Sequence, residues 1–183
     1  MIDFTNEDAI PKLELFAVEE KDYGKDYKKH LLEQYKLYVE MADRISSRRS
    51  NANTFFLSVN TLLVTAIGVL SKLESGFETL NLWWVLTTSF AGILFCWTWL
   101  SIINSYRQLN TGKFKVINTI EQKLPLAMYK AEWSYLKPER GISRYKQLTV
   151  VEILVPKIFG GVYFGLMIMA ALLLVNSWFT LLN

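Results

Sequence analysis

The segment Leu82–Ser105, LWWVLTTSFAGILFCWTWLSIINS, decides the fold. It contains no Asp, Glu, Lys, Arg or His. It exceeds the ~20 helical residues needed to cross a hydrocarbon core of ~30 Å. Two further stretches, Thr54–Ser71 and Ile158–Leu182, are equally free of charge. Lipid offers no partner to a backbone N–H or C=O, so each stretch must satisfy its own as an α-helix. The chain is therefore read as an all-α membrane protein with three transmembrane helices, at 54–73, 82–105 and 158–180.

Charge sets the expected orientation. The chain has 20 Lys and Arg, and Lys72 is the only one outside the polar segments 1–53 and 106–157. Cytoplasmic flanks carry the excess of basic residues, so these two segments are expected inside. The short loop 74–81 and the C-terminal residues 181–183 are expected outside. Three crossings also place the termini on opposite sides. Residues 1–24 are acidic and lack the apolar core of a cleaved signal, so the first span is expected to serve as its own anchor.

Trp83 and Trp84 sit at the outer end of the second span, and Trp97 and Trp99 at its inner end. They lie ~21–24 Å apart along a helix, close to the distance between headgroup regions. All four are read as interface anchors. Trp178 and Phe179 mark the outer end of the third span in the same way.

The polar segments read as helical extensions of the spans. No Gly or Pro occurs from Lys25 to Ile67, and Leu31, Tyr35, Tyr38, Ala42 and Ile45 repeat at 4-3-4-3 spacing. That spacing makes one apolar stripe on a cytoplasmic helix over 25–53. Residues 106–150 have a net charge of +6 and continue helically to Pro125, with Gly112 a weak point. A short helix over 126–136 should end at Pro138, because the residue before proline avoids helical dihedrals. Residues 137–142 form a turn, and a last helix from Ser143 passes through the juxtamembrane stretch 151–157, kinked at Pro156.

Residue chemistry excludes several classes of function. No Ser/His/Asp set, phosphate-cradling glycine loop or Cys-x-x-Cys occurs. His30 and Cys96 are single, so no metal or cofactor site is expected, and neither is an enzyme. Charge-free spans lack the ionisable groups that pumps and coupled carriers require. The basic segment beside a bilayer is read as contacting anionic lipid headgroups and not nucleic acid.

Within the spans, Ser58, Asn60, Thr61, Thr65, Thr87 and Thr88 are candidates for interhelical hydrogen bonds or for the lining of a shared pore. Gly161 and Gly165 form a small-xxx-small step expected at a helix contact.

Two stretches, Tyr38–Leu57 and Tyr106–Pro125 with Tyr129, Glu132 and Trp133, resemble the RipA family of small bacterial inner-membrane proteins, described as octameric. More distantly they are similar to SLATT domains, membrane modules proposed as pore-forming effectors of nucleotide-signalled defence. The resemblance implies a bacterial cytoplasmic membrane and a ring-like homo-oligomer, with roles in envelope or environmental adaptation. It supplies no catalytic residue. In such a ring Arg44, Arg48, Arg49, Glu121 and Glu132 are candidate ion-pair partners of a collar between subunits.

Overall fold

The computed structural model describes residues 15–73, 79–136 and 148–182. Regular structure among them is entirely helical: α1 (Glu20–Tyr23), α2 (Tyr27–Leu73), α3 (Thr79–Glu121), α4 (Met128–Leu136) and α5 (Leu148–Leu182). Three helices, α2, α3 and α5, are long and apolar enough to cross a membrane. This is an integral membrane protein of the expected all-α class.

Gly24 separates α1 from α2 with φ of 94°, a left-handed conformation that a side chain would strain. From Tyr27 the chain runs 47 residues without a break, since nothing in that stretch interrupts a helix. At 1.5 Å per residue α2 is ~70 Å long, about twice the hydrocarbon thickness. Its charged half therefore projects beyond the bilayer. α3, with 43 residues, does the same and passes through Gly112 without interruption. α5 likewise continues through Pro156, which is buried inside it. The short helix begins at Met128, three residues after Pro125. The expected turn at 137–142, the start of the last helix near Ser143 and most of the loop 74–81 lie outside the described residues.

α3 is the central element, packed on α2 along one side and on α5 along the other. Its partners on α2 rise in number as its own fall, from Tyr35 opposite Glu121 to Asn60 opposite Cys96, so the pair is antiparallel. α5 runs parallel to α2. Three apolar clusters follow one another along this axis. Ile67, Leu82, Val85, Tyr163 and Ala170 pack in the half of the spans nearer the α2–α3 connection. Phe56, Trp99 and Ile103 pack at the opposite end, beside the charged extensions of α2 and α3. Tyr35, Ala42, Ile117 and Ile120 pack beyond the membrane, with Leu31 and Tyr38 against them. That last cluster is the apolar stripe expected on α2, joined to its counterpart on α3. Lys113, buried beside it, lays its ammonium 4.3 Å from the centre of the Tyr38 ring, a cation–π contact.

Candidate functional site

Polar groups inside the subunit gather in three layers, each joining different helices. The first lies where α2 and α5 enter the membrane. Arg49 on α2 pairs with Glu152 on α5, both side chains less than one-fifth exposed. Asn53, one turn along α2, donates to Glu152 Oε1 at 3.0 Å and accepts from Trp99 Nε1 at 2.9 Å. One carboxylate, one amide and one indole thus tie all three spans together at the ends that adjoin the charged extensions. Trp99 also stacks on Phe56, with ring centroids 5.8 Å apart and an interplanar angle of 11°.

Removing one partner of a buried ion pair costs on the order of 3–5 kcal/mol, because the other charge is left uncompensated. Glu152→Ala should therefore lower the thermal stability of the detergent-solubilised protein markedly. The reciprocal swap, Arg49→Glu with Glu152→Arg, should recover part of the loss. Equal loss in the single and swapped variants would show that the pairing contributes little.

The second layer is at mid-span. Asn60 Nδ2 donates to the Phe56 carbonyl at 2.8 Å, and its Oδ1 accepts from Cys96 Sγ at 3.4 Å. Tyr163 on α5 donates its hydroxyl to the Asn60 carbonyl at 3.1 Å. The Tyr163 ring is fully buried and lies flat over Gly92 of α3, so closely that a Cβ there would sit 2.6 Å from three ring atoms. Glycine is required at 92 because the ring occupies the space of a side chain.

The third layer lies beyond the membrane. Glu121, the last residue of α3, is buried and accepts from the Tyr35 hydroxyl at 2.9 Å. Its carboxylate also accepts from the backbone N–H of Tyr129 at 3.1 Å and of Lys130 at 3.4 Å. Those N–H groups belong to the first turn of α4 and have no partner within it. A carboxylate is favoured there by the helix dipole as well. One side chain therefore joins α2, α3 and α4.

Burial first, then the hydrogen bond to Glu121 and its negative charge, push the Tyr35 phenol from 10.0 up to about 12. A folded-state value above the unfolded one favours the neutral phenol. Its stabilising contribution is complete below pH 10.0 and disappears as pH rises through about 12. Alkaline titration followed by tyrosinate absorbance should show a late-ionising phenol that Tyr35→Phe removes. An unchanged titration curve in that variant would contradict the assignment.

The structure separates residues that the sequence grouped. Asn60 is buried among the three spans, whereas Ser58, Thr61, Thr65 and Thr87 face outward and Thr88 is half-buried. Asn60 and Thr61 are adjacent, ~100° apart around the helix, and cannot share a face. Thr61 and Thr87 return their hydroxyls to carbonyls of their own helices.

Trp83, Trp84 and Trp97 are exposed at 60%, 64% and 68%, but Trp99 is only 2% exposed and is a core residue. The anchor reading of Trp99 is corrected on geometric grounds: two residues along a helix turn the side chain by ~200°, away from Trp97. Gly161 and Gly165, expected at a helix contact of this or another subunit, make none within this one. A Cβ at either would meet nothing within 4 Å, so neither lies at a helix contact in this subunit. Gly92 makes that contact instead.

Within the subunit, Arg44 bonds Glu40 one turn earlier at 2.7 Å, Arg49 pairs with Glu152, and Glu121 takes hydrogen bonds from Tyr35 and α4. Arg48 and Glu132 form no ion pair among the described residues. Sequence reasoning missed Asn53, Trp99, Tyr163 and Gly92 as a set.

The groups of the three layers hydrogen-bond one another across helices, which fixes the helix positions. No group of three potential metal-ligating side chains occurs among the described residues. Comparison with curated proteins and with solved structures gave no match. Residues 32–173 match the family described as "Octameric membrane protein family (8xMP)", an interval containing all three layers and all but the end of the last span. The chain belongs to the octameric membrane protein family.

Proposed function

We propose that eight copies of this chain form a ring in a bacterial cytoplasmic membrane, and that the ring is a structural scaffold. The N-terminus and the charged halves of α2 and α3 face the cytoplasm in this reading, and the C-terminus faces outward. One observation carries it. Beyond the membrane, where lipid cannot cover them, Leu32, Leu37, Met41, Leu109, Leu126 and Tyr135 are all exposed. Covering side chains of this size contributes ~1.5–3 kcal/mol each, and a neighbouring subunit is the cover consistent with the family's description. Large apolar side chains exposed outside a bilayer suit an interaction surface. The resemblance to RipA proteins supports a role in envelope or environmental adaptation. The basic residues at the inner boundary suit anionic lipid headgroups.

A channel-like role is the second reading, and a separate observation favours it. Thr54, Ser58, Thr61 and Thr65 repeat at 4-3-4 spacing on one exposed face of α2, a hydroxyl stripe along the first span. The subunit interior is filled by Tyr163, Asn60, Ser89 and Ile103, so any passage would run between subunits. Electrical recording from the purified oligomer in planar bilayers separates the two. The scaffold predicts no current above that of protein-free membrane. Unitary steps that change with Ser58→Leu and Thr65→Leu would replace it with the channel.

A further inference from the structure

Between α3 and α5 a groove of about 380 Å³ opens on the side of the subunit, within the ~300–1,000 Å³ of typical ligand pockets. Ile93, Trp97 and Leu100 line it from α3, and Lys157, Gly161 and Phe164 line it from α5. Its walls are almost wholly apolar, and water needs polar partners to occupy such a space. The groove lies within the helix segments long and apolar enough to cross a membrane, so hydrocarbon is the solvent at its mouth. Gly161 keeps it open, since a Cβ there would meet nothing within 4 Å.

One end of the groove is charged. From Ile93 to Leu100 it runs ~10 Å toward the charged extensions, and Lys157 stands at that end. Lys157 is exposed and forms no ion pair among the described residues. Rotation about the membrane normal would keep each residue of a neighbouring copy at its own height. At the depth of the groove Thr54–Ser71, Leu82–Ser105 and Ile158–Leu182 carry no Asp or Glu. The nearest carboxylate along α5 is that of Glu152, ~7.5 Å back, and it is held by Arg49 and Asn53. A lipid phosphate supplies the missing anion at the right depth, because a lysine at the end of a span extends its ammonium to the headgroups. Trp97, 68% exposed on the same groove, suits that boundary as well.

Resting on the reading that anionic headgroups meet the basic boundary, we propose that the α3–α5 groove holds an acyl chain of an anionic phospholipid whose phosphate pairs with Lys157. Native mass measurement of the purified protein, in detergent doped with phosphatidylglycerol or with phosphatidylcholine, counts the lipid retained per chain. The unsubstituted chain should retain phosphatidylglycerol in preference. Lys157→Gln should lower that preference ~5-fold, the ~1 kcal/mol that one basic residue contributes beside an anionic surface. Gly161→Leu fills the groove and should reduce retention of both lipids while thermal unfolding stays unchanged.

A preference that survives undiminished in both variants would overturn the groove and leave the basic boundary in contact with anionic lipid. No preference in the unsubstituted chain would remove that broader reading too. A complex of lower mass in Gly161→Leu would assign the groove to a neighbouring copy and overturn the lipid.

Discussion

Gly92→Leu should separate α3 from α5 and abolish most of the folded protein recovered from membranes. A side chain at 92 begins 2.6 Å from Cε1, Cε2 and Cζ of Tyr163. The ring cannot move aside cheaply, because its hydroxyl is bonded to the Asn60 carbonyl and the residue is wholly buried. Overpacking a well-filled core costs ~1–3 kcal/mol where neighbours can adjust, and here they are held on two sides. Gly92→Ala should show a smaller loss of the same kind. Adding Tyr163→Ala to Gly92→Leu vacates the ring's space and should recover part of the stability. Gly165→Leu, at a position where an added Cβ meets nothing within 4 Å, should leave the helix packing of the subunit unchanged. Thermal unfolding in detergent measures all four. Equal stability of the Gly92→Leu and Gly165→Leu variants would refute the contact.

Glu121→Ala should release α4. The substitution strips an acceptor from the Tyr35 hydroxyl and from two backbone N–H groups at once. Each buried donor left without a partner costs ~1–3 kcal/mol. α4 is nine residues long with no buried residue of its own, too short to be stable alone in water. Hydrogen exchange at Met128–Leu136 should become fast while that of α2 and α3 within the membrane stays slow. Glu121→Gln keeps one acceptor oxygen and should give an intermediate effect. Unaltered protection of α4 in the alanine variant would show that another contact holds it.

The spans and their helical extensions were legible because they depend on local patterns. Charge-free runs of sufficient length identify membrane helices directly. The 4-3-4-3 stripe of α2 predicted the cluster formed by Tyr35 and Ala42, since helical period alone assigns those side chains to one face. Contacts between distant residues were not legible. Arg49 and Glu152 are separated by 103 positions, and nothing local to either names the other.

Glycine shows the same limit. The Gly161/Gly165 step has the spacing of a packing motif, yet the close approach occurs at Gly92, where a lone glycine faces an aromatic ring from another helix. Trp99 sits in the core and not at the interface, because position along a span does not fix direction around the helix. The collar pairs expected of Arg44 and Glu121 have other partners inside the subunit, Glu40 and Tyr35. Those bonds depend on which helices meet, which charge counting does not encode.

Subunit number is the most direct test of the ring. Native mass measurement of the protein, extracted in mild detergent and stripped of lipid in the gas phase, should give a complex of about 170 kDa, eight times the 21.2 kDa chain. A single species at 21.2 kDa would contradict the ring and, with it, the assignment of the exposed apolar side chains of α2 and α4 to a collar between subunits.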